Sequence, residues 1–114
     1  FTGDGSTKNF PLTEIIQEQD ILVTKGVTAS DGSTVNFTTA FVGDNVTADN
    51  NASPTYLTTD SQLRSADFEN EISLTHDTTN KITTVNFTNA PDSGTIIRVD
   101  RAGDKYLVFR RIGI

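Results

Sequence analysis

An antiparallel β-sandwich of about seven or eight short strands is the fold the sequence predicts, and three observations predict it. Threonine occurs 19 times in 114 residues, and Val, Ile and Phe supply most of the apolar content, a composition suited to pleated, half-buried strands. Short runs of alternating apolar and polar residues recur along the chain, as strands with one buried face require. Clusters of Gly, Asp, Asn and Ser separate these runs, the punctuation of a sandwich or barrel rather than of βαβ units.

The runs, in order, are Thr7–Leu12, Asp20–Val27, Thr34–Val42, Thr55–Thr59, Glu71–His76, Ile82–Thr88, Thr95–Arg101 and Tyr106–Arg110. Alternation is clearest in Ile82–Thr88, where Val85 and Phe87 share one face and Thr84 and Asn86 the other. Phe10, Leu12, Ile21, Val23, Phe37, Leu74, Val85, Phe87, Ile97 and Val99 form the expected core. Two short helical turns are expected. One lies in Pro11–Gln19, where Leu12, Ile15 and Ile16 stand at i, i+3 and i+4; the other, in Ser61–Asn70, opens on Ser61 as an N-cap. Gly43–Pro54 is rich in Asp and Asn and is expected to be an exposed, irregular excursion.

Two short segments recur. DGSTKNF at 4–10 returns as DGSTVNF at 31–37, and TVNFTTA at 34–40 returns as TVNFTNA at 84–90, each with six identities in seven. The offsets differ, so no solenoid period runs through the chain. The echoes read as a reused turn followed by a strand. Asp-Gly supplies a turn with positive φ, Ser and Thr hydroxyls bond the local backbone, and Asn-Phe starts the alternation into the core. Asp4-Gly5 and Asp31-Gly32 should therefore be equivalent turns.

Composition narrows the function classes. The length suits one domain over residues 1–114. The chain opens on Phe1 and contains no methionine, so a piece of a longer protein is expected. The net charge is −6 and unevenly spread: residues 1–97 hold 13 acids and 4 bases, whereas residues 98–114 hold 5 bases and 2 acids. An acidic body disfavours nucleic acid or an anionic membrane as the main partner, because both need phosphate neutralisation. The basic end, by contrast, suits docking on an acidic surface. Arg101, Tyr106, Phe109, Arg110 and Arg111 are its candidate interface residues, apolar anchors beside guanidinium donors. Without cysteine there is no disulfide, thiol nucleophile or thiolate metal site.

Candidate chemistry is sparse. His76 is the single histidine, so any Ser-His-Asp arrangement needs it, and no signature supports one. It reads as a strand-end residue hydrogen-bonded locally. The carboxylates fall mostly in turns (Asp4, Asp31, Asp44, Asp49, Asp92, Asp104), where solvated turn chemistry is the simpler reading than an acid–base pair. Asp44, Asn45, Asp49, Asn50 and Asn51 in the 43–54 loop are oxygen ligands of the kind calcium takes, without the spacing of the twelve-residue calcium loop. Four Asn-x-Ser/Thr sequons, at Asn36, Asn45, Asn51 and Asn86, follow from the composition. There is no Gly-rich phosphate loop, and no cofactor is expected.

Three stretches carry a resemblance. They are Phe1-Thr-Gly-Asp-Gly-Ser-Thr7 with Phe10, Asp20-Ile-Leu-Val-Thr24 with Gly26-Val27, and Val85-Asn-Phe-Thr-Asn-Ala-Pro-Asp-Ser-Gly94 running on through Thr-Ile-Ile-Arg-Val-Asp-Arg101. In order, they resemble the amino-terminal attachment domain of podovirus-type bacteriophage tail fibres and related β-modules of marine-phage virion proteins. Residues 1–27 and 82–101 carry the likeness, while residues 28–70 depart from it by being long and Asn/Asp-rich. The resemblance implies a trimeric fibre or adaptor piece that fixes an appendage to the tail or baseplate. It also implies a home in the virion after assembly in the bacterial cytoplasm, and it transfers no catalytic residue. A non-enzymatic structural module is thus the first expectation. A carbohydrate-binding or adhesin β-sandwich is the alternative, although the exposed tryptophans on which sugars usually stack are missing.

Overall fold

The computed structural model describes residues 1–46, 63–64 and 71–102 and the strand at 109–112. Seven strands are found there: β1 (Asn9–Leu12), β2 (Ile21–Thr28), β3 (Val35–Val42), β4 (Ile72–Asp77), β5 (Ile82–Phe87), β6 (Ile96–Ala102) and β7 (Phe109–Ile112). They form a three-stranded sheet in the order β1-β5-β4 and a four-stranded sheet in the order β3-β2-β6-β7. Every pairing is antiparallel, so the chain is all-β, as its composition predicts. The last strand contains Phe109 and Arg110 of the expected Tyr106–Arg110 and runs on to Ile112, while residues 106–108 and the expected strand Thr55–Thr59 lie outside the described residues.

The two sheets face each other across one core. Phe10, Leu12, Ile72, Val85 and Phe87 come from the three-stranded sheet, and Ile21, Val23, Phe41, Ile97 and Val99 from the four-stranded one. The Phe10 ring stands edge-on to Phe87 at 5.7 Å and tilted to Phe1 at 5.3 Å, spacings at which aromatic pairs attract beyond simple burial. Eight of the ten expected core residues are buried there, and Leu74 packs half-buried against them.

Phe37 is the exception, and a β-bulge explains it. In a regular strand Phe37 and Phe41 would share a face. Here the β2–β3 register runs Val23↔Phe41 and then Thr24↔Thr39, so Ala40 is an extra residue. The bulge reverses the facing of the strand. Phe41 enters the core, while Phe37, opposite Gly26, lies half-buried on the sheet's outer face.

That outer face is covered too. Leu22, Val46 and Leu63 form a second apolar cluster beneath which Thr24, Arg98 and Asp100 are also buried. The excursion expected to be exposed from Gly43 therefore begins as a covering layer, with Val46 fully buried; residues 47–54 lie outside the described residues. Arg64 Nη2 fastens it by donating to the carbonyls of Val46 (2.7 Å) and Gly43 (3.3 Å), and the Thr39 hydroxyl donates to the Leu63 carbonyl (2.9 Å).

The expected helical turn at Pro11–Gln19 is not formed. Leu12 ends β1, residues 13–17 cross from one sheet to the other, and only a single 3₁₀ turn, Glu18–Asp20, precedes β2. Of the segment Ser61–Asn70, all but residues 63 and 64 lies outside the described residues.

The first residues and β7 lie along one edge of β6. Phe1 and Ile97 exchange backbone hydrogen bonds (2.8 and 2.9 Å), and the Gly3 N–H donates to the Thr95 carbonyl (2.7 Å). Further along the same edge β7 pairs Ile112 with Val99 and Arg110 with Arg101.

The two echoed turns are equivalent, as the sequence predicts. Gly5 and Gly32 have φ of 83° and 78°, in the left-handed region that costs side-chain-bearing residues roughly 1–2 kcal/mol. An added Cβ at Gly32 would meet nothing within 4 Å, so the cost there is purely conformational. Gly32→Val should lower stability by about 1–2 kcal/mol, and Gly32→Asn by clearly less. Denaturant midpoints of the two variants check this, and equal midpoints would show that the turn relaxes to ordinary φ.

Candidate functional site

Three turn carboxylates, Asp4, Asp31 and Asp77, are engaged by backbone, while Asp49 and Asp104 lie outside the described residues. Asp4 Oδ1 accepts from the N–H groups of Ser6 and Thr7, and its Oδ2 from the Thr7 hydroxyl. Asp31 does the same with Ser33 and Thr34. Asp77, at the β4–β5 turn, accepts from the N–H groups of Thr79 and Asn80 and from the Asn80 side-chain amide. Because these donors favour the ionised form, the hydroxyls and N–H groups of Thr7 and Thr34 hold Asp4 and Asp31 down at about 2, and Asn80 lowers Asp77. Carboxylates so satisfied anchor turns. A general acid needs the opposite shift.

His76 has a structural partner, and it is not a local one. Its Nε2 lies 2.7 Å from the carbonyl of Ile16, 60 residues upstream, so that nitrogen carries the proton and donates it. The residue opposite His76 in the β4–β5 register is Thr83. The buried Thr83 hydroxyl accepts from the Ile16 N–H (2.9 Å) and donates to the Glu14 carbonyl (2.8 Å). One cross-strand pair thus satisfies both peptide groups of Ile16, which is fully buried yet belongs to no strand. Nothing in the local pattern around His76 pointed to this long-range contact.

Three ion pairs engage further charges. Lys25 Nζ lies 2.8 Å from Glu71, and Arg101 Nη1 lies 2.5 Å from Glu14. Arg98 and Asp100, two apart on β6, share the covered outer face at 3.3 Å, and the Arg98 guanidinium lies 6.0 Å from the centre of the Phe37 ring. Sequence reasoning missed this buried pair. A strand alternating Ile97-Arg98-Val99-Asp100 gives the signal of a wet outer face, and only the isolated apolar residues Val46 and Leu63 hinted at a cover.

The candidate interface residues are brought only partly together. Arg101 sits near the end of β6, half-buried against Glu14. Phe109, Arg110 and Arg111 belong to β7, where the register sets Arg111 opposite Asp100, Arg110 opposite Arg101 and Phe109 opposite Ala102. Tyr106 lies outside the described residues. The basic end is thus the outer strand of the four-stranded sheet along its described length.

A surface depression of about 580 Å³ is lined by Glu18, Gln19, Phe41, Val42, Gly43, Asp44 and Arg64. Its guanidinium is the one fastened to the Gly43 and Val46 carbonyls. Nearby, Asn45 Nδ2 donates to Asp20 Oδ1 at 2.8 Å. Of the proposed oxygen-rich loop, Asp49, Asn50 and Asn51 lie outside the described residues; among the described ones no cluster of three or more metal-ligating side chains is found.

Two expected outcomes follow from these contacts. Asp4 and Asp31 have folded-state pKa values below their unfolded values. Their contribution to stability is therefore complete above about pH 4 and lost as pH falls towards about 2. Acid titration of a D4N/D31N double variant should show a shallower loss of stability in that window than the parent. Thr83→Val should cost roughly 1–3 kcal/mol, because it leaves the buried Ile16 N–H unsatisfied. Thermal unfolding measures this, and an unchanged midpoint would mean that the crossing segment finds another partner.

Compared with known proteins, the chain matches no family model, no curated protein and no solved structure.

Proposed function

We propose that this chain is a non-enzymatic structural module that joins a bacteriophage tail fibre or tail adaptor to its neighbours by protein–protein contact. The observation that carries the reading is the employment of the polar side chains. The three turn aspartates, the single histidine and Thr83 each hold a backbone group in place. Among the described residues, strand edges, turns and a charge contrast between an acidic body and a basic outer strand are the features offered for recognition. The resemblance of residues 1–27 and 82–101 to tail-fibre attachment domains supports the same reading. Its partners are then tail or baseplate proteins and further copies of the chain, and its place is the tail of the particle.

Antibodies raised against the chain, applied to purified particles of the encoding bacteriophage, should decorate the tail or its fibres. Label confined to capsids, or no label on particles together with glycan binding by the isolated chain, would overturn the reading. Charge reversal separates attachment from folding. Arg111 stands opposite Asp100, so Arg111→Glu sets like charges across the β6–β7 ladder and should destabilise the fold by up to about 1 kcal/mol. Arg110 stands opposite Arg101, so Arg110→Glu should leave the fold intact. It should weaken attachment, and more so at low salt.

A further inference from the structure

From the hydrogen bonds of the two echoed turns we infer that Asp4-Gly5 and Asp31-Gly32 are sites of aspartate isomerisation that the folded chain holds dormant. The inference does not depend on which larger assembly holds the chain.

An Asp-Gly bond is the aspartyl linkage most open to this reaction, because glycine has no side chain to shield its nitrogen. The chain has two such bonds and no Asn-Gly. Neither glycine is easily replaced, since both sit at positive φ, 83° and 78°. Each aspartate is needed as well, because its carboxylate closes the turn. The turn therefore requires, side by side, the two residue types whose junction invites rearrangement.

The chemistry needs only water. The glycine nitrogen loses its proton and attacks Cγ of the aspartate. An N–Cγ bond forms and a Cγ–O bond breaks, and the departing carboxyl oxygen leaves as water. Water then opens the succinimide ring so formed. Where it cleaves the bond from the nitrogen to the original main-chain carbonyl, the main chain runs on through the aspartate side chain and is longer by a methylene.

Both partners in the first step are held. The Gly32 N–H donates to the Ala29 carbonyl and the Gly5 N–H to the Pro91 carbonyl, each at 3.0 Å. Neither proton can leave until the turn opens locally. The carboxyl, in turn, must carry a proton if its oxygen is to depart as water. Asp31 Oδ1 accepts from the N–H groups of Ser33 (2.9 Å) and Thr34 (2.8 Å), and Oδ2 from the Thr34 hydroxyl (2.5 Å). Asp4 has the matching bonds from Ser6 (2.8 Å) and Thr7 (2.6 and 2.7 Å). Such donors favour the ionised form, which is the unreactive one.

The two guards differ in reach. That of Gly32 lies within the β2–β3 link, where the Ala29 N–H also donates to the Thr34 carbonyl at 2.7 Å. That of Gly5 comes from the segment between β5 and β6. The same segment gives the Gly94 N–H to the Gly3 carbonyl (3.0 Å) and accepts the Gly3 N–H at Thr95 (2.7 Å). Rearrangement at Asp31 would disturb the closure of one hairpin, and at Asp4 the docking of the first residues.

The shared tetrapeptide Asp-Gly-Ser-Thr makes each site a control for the other. The chain is aged at mildly acidic pH, native and in denaturant, and isoaspartate at each site is measured by chromatography and mass spectrometry of proteolytic peptides. In the native chain both sites should react at least about tenfold more slowly than in denaturant, because only the opened fraction reacts. Thr34→Val should speed the native reaction at Asp31 by at least about threefold and leave Asp4 unchanged, and Thr7→Val should do the converse. Native rates equal to the denatured ones at either site would overturn the inference, and that comparison needs no variant. So would folded T34V and T7V chains that age at the parent's rate, or that quicken at both sites alike.

Discussion

The fold depends on how the chain crosses from one sheet to the other after β1. Consecutive strands usually pair, but β1 belongs to the three-stranded sheet and β2 to the four-stranded one. The link must pass over the core with Ile16 fully buried and its peptide groups outside any ladder. A buried, unpaired N–H or carbonyl costs more than an ordinary hydrogen bond contributes. Thr83 and His76 remove that cost from the side of β5 and β4. Because the two residues are opposite each other in register, the pin forms only when β4 and β5 are correctly paired. The crossing thereby ties the alignment of one sheet to the placement of the other.

The turns and the inner faces were legible in the sequence because their causes are local. Asp-Gly-Ser-Thr carries its own carboxylate acceptor and its own positive-φ residue, and Val85 and Phe87 alternate without interruption. Phe37 was misassigned because the bulge at Ala40 is not a local signal; Thr39, Ala40 and Phe41 are all buried, in breach of a period of two. The apparent helical spacing of Leu12, Ile15 and Ile16 came from a strand end followed by a crossing, two environments that a periodicity count merges. Of the candidate site, the basic end was visible as charge, but its pairing with β6 was not. Register between distant segments is set by the whole sheet.

The covered outer face changes the energetic character of the four-stranded sheet. β6 is buried on both sides, apolar towards the core and ionic towards the cover. A buried pair such as Arg98 and Asp100 contributes little net stability, because the desolvation of both charges offsets their attraction. Thr24, opposite both Thr39 and Arg98 in register, continues this polar row across the sheet. Such a row tolerates few alternative alignments of the covering segment. It specifies where Val46 and Leu63 sit more than it adds to stability.

The placement of Phe1 and β7 on one edge of β6 has a mechanical meaning. Phe1 is held at Ile97 and Ile112 at Val99, two residues apart on one strand. A tug applied between Phe1 and Ile112 enters and leaves through neighbouring rungs of a single ladder. It does not pass through the packed interface between the sheets. Tension along the chain would therefore strip a few edge hydrogen bonds in succession while the sandwich behind them carried almost no load, and the peeled segments would act as short tethers on an intact body.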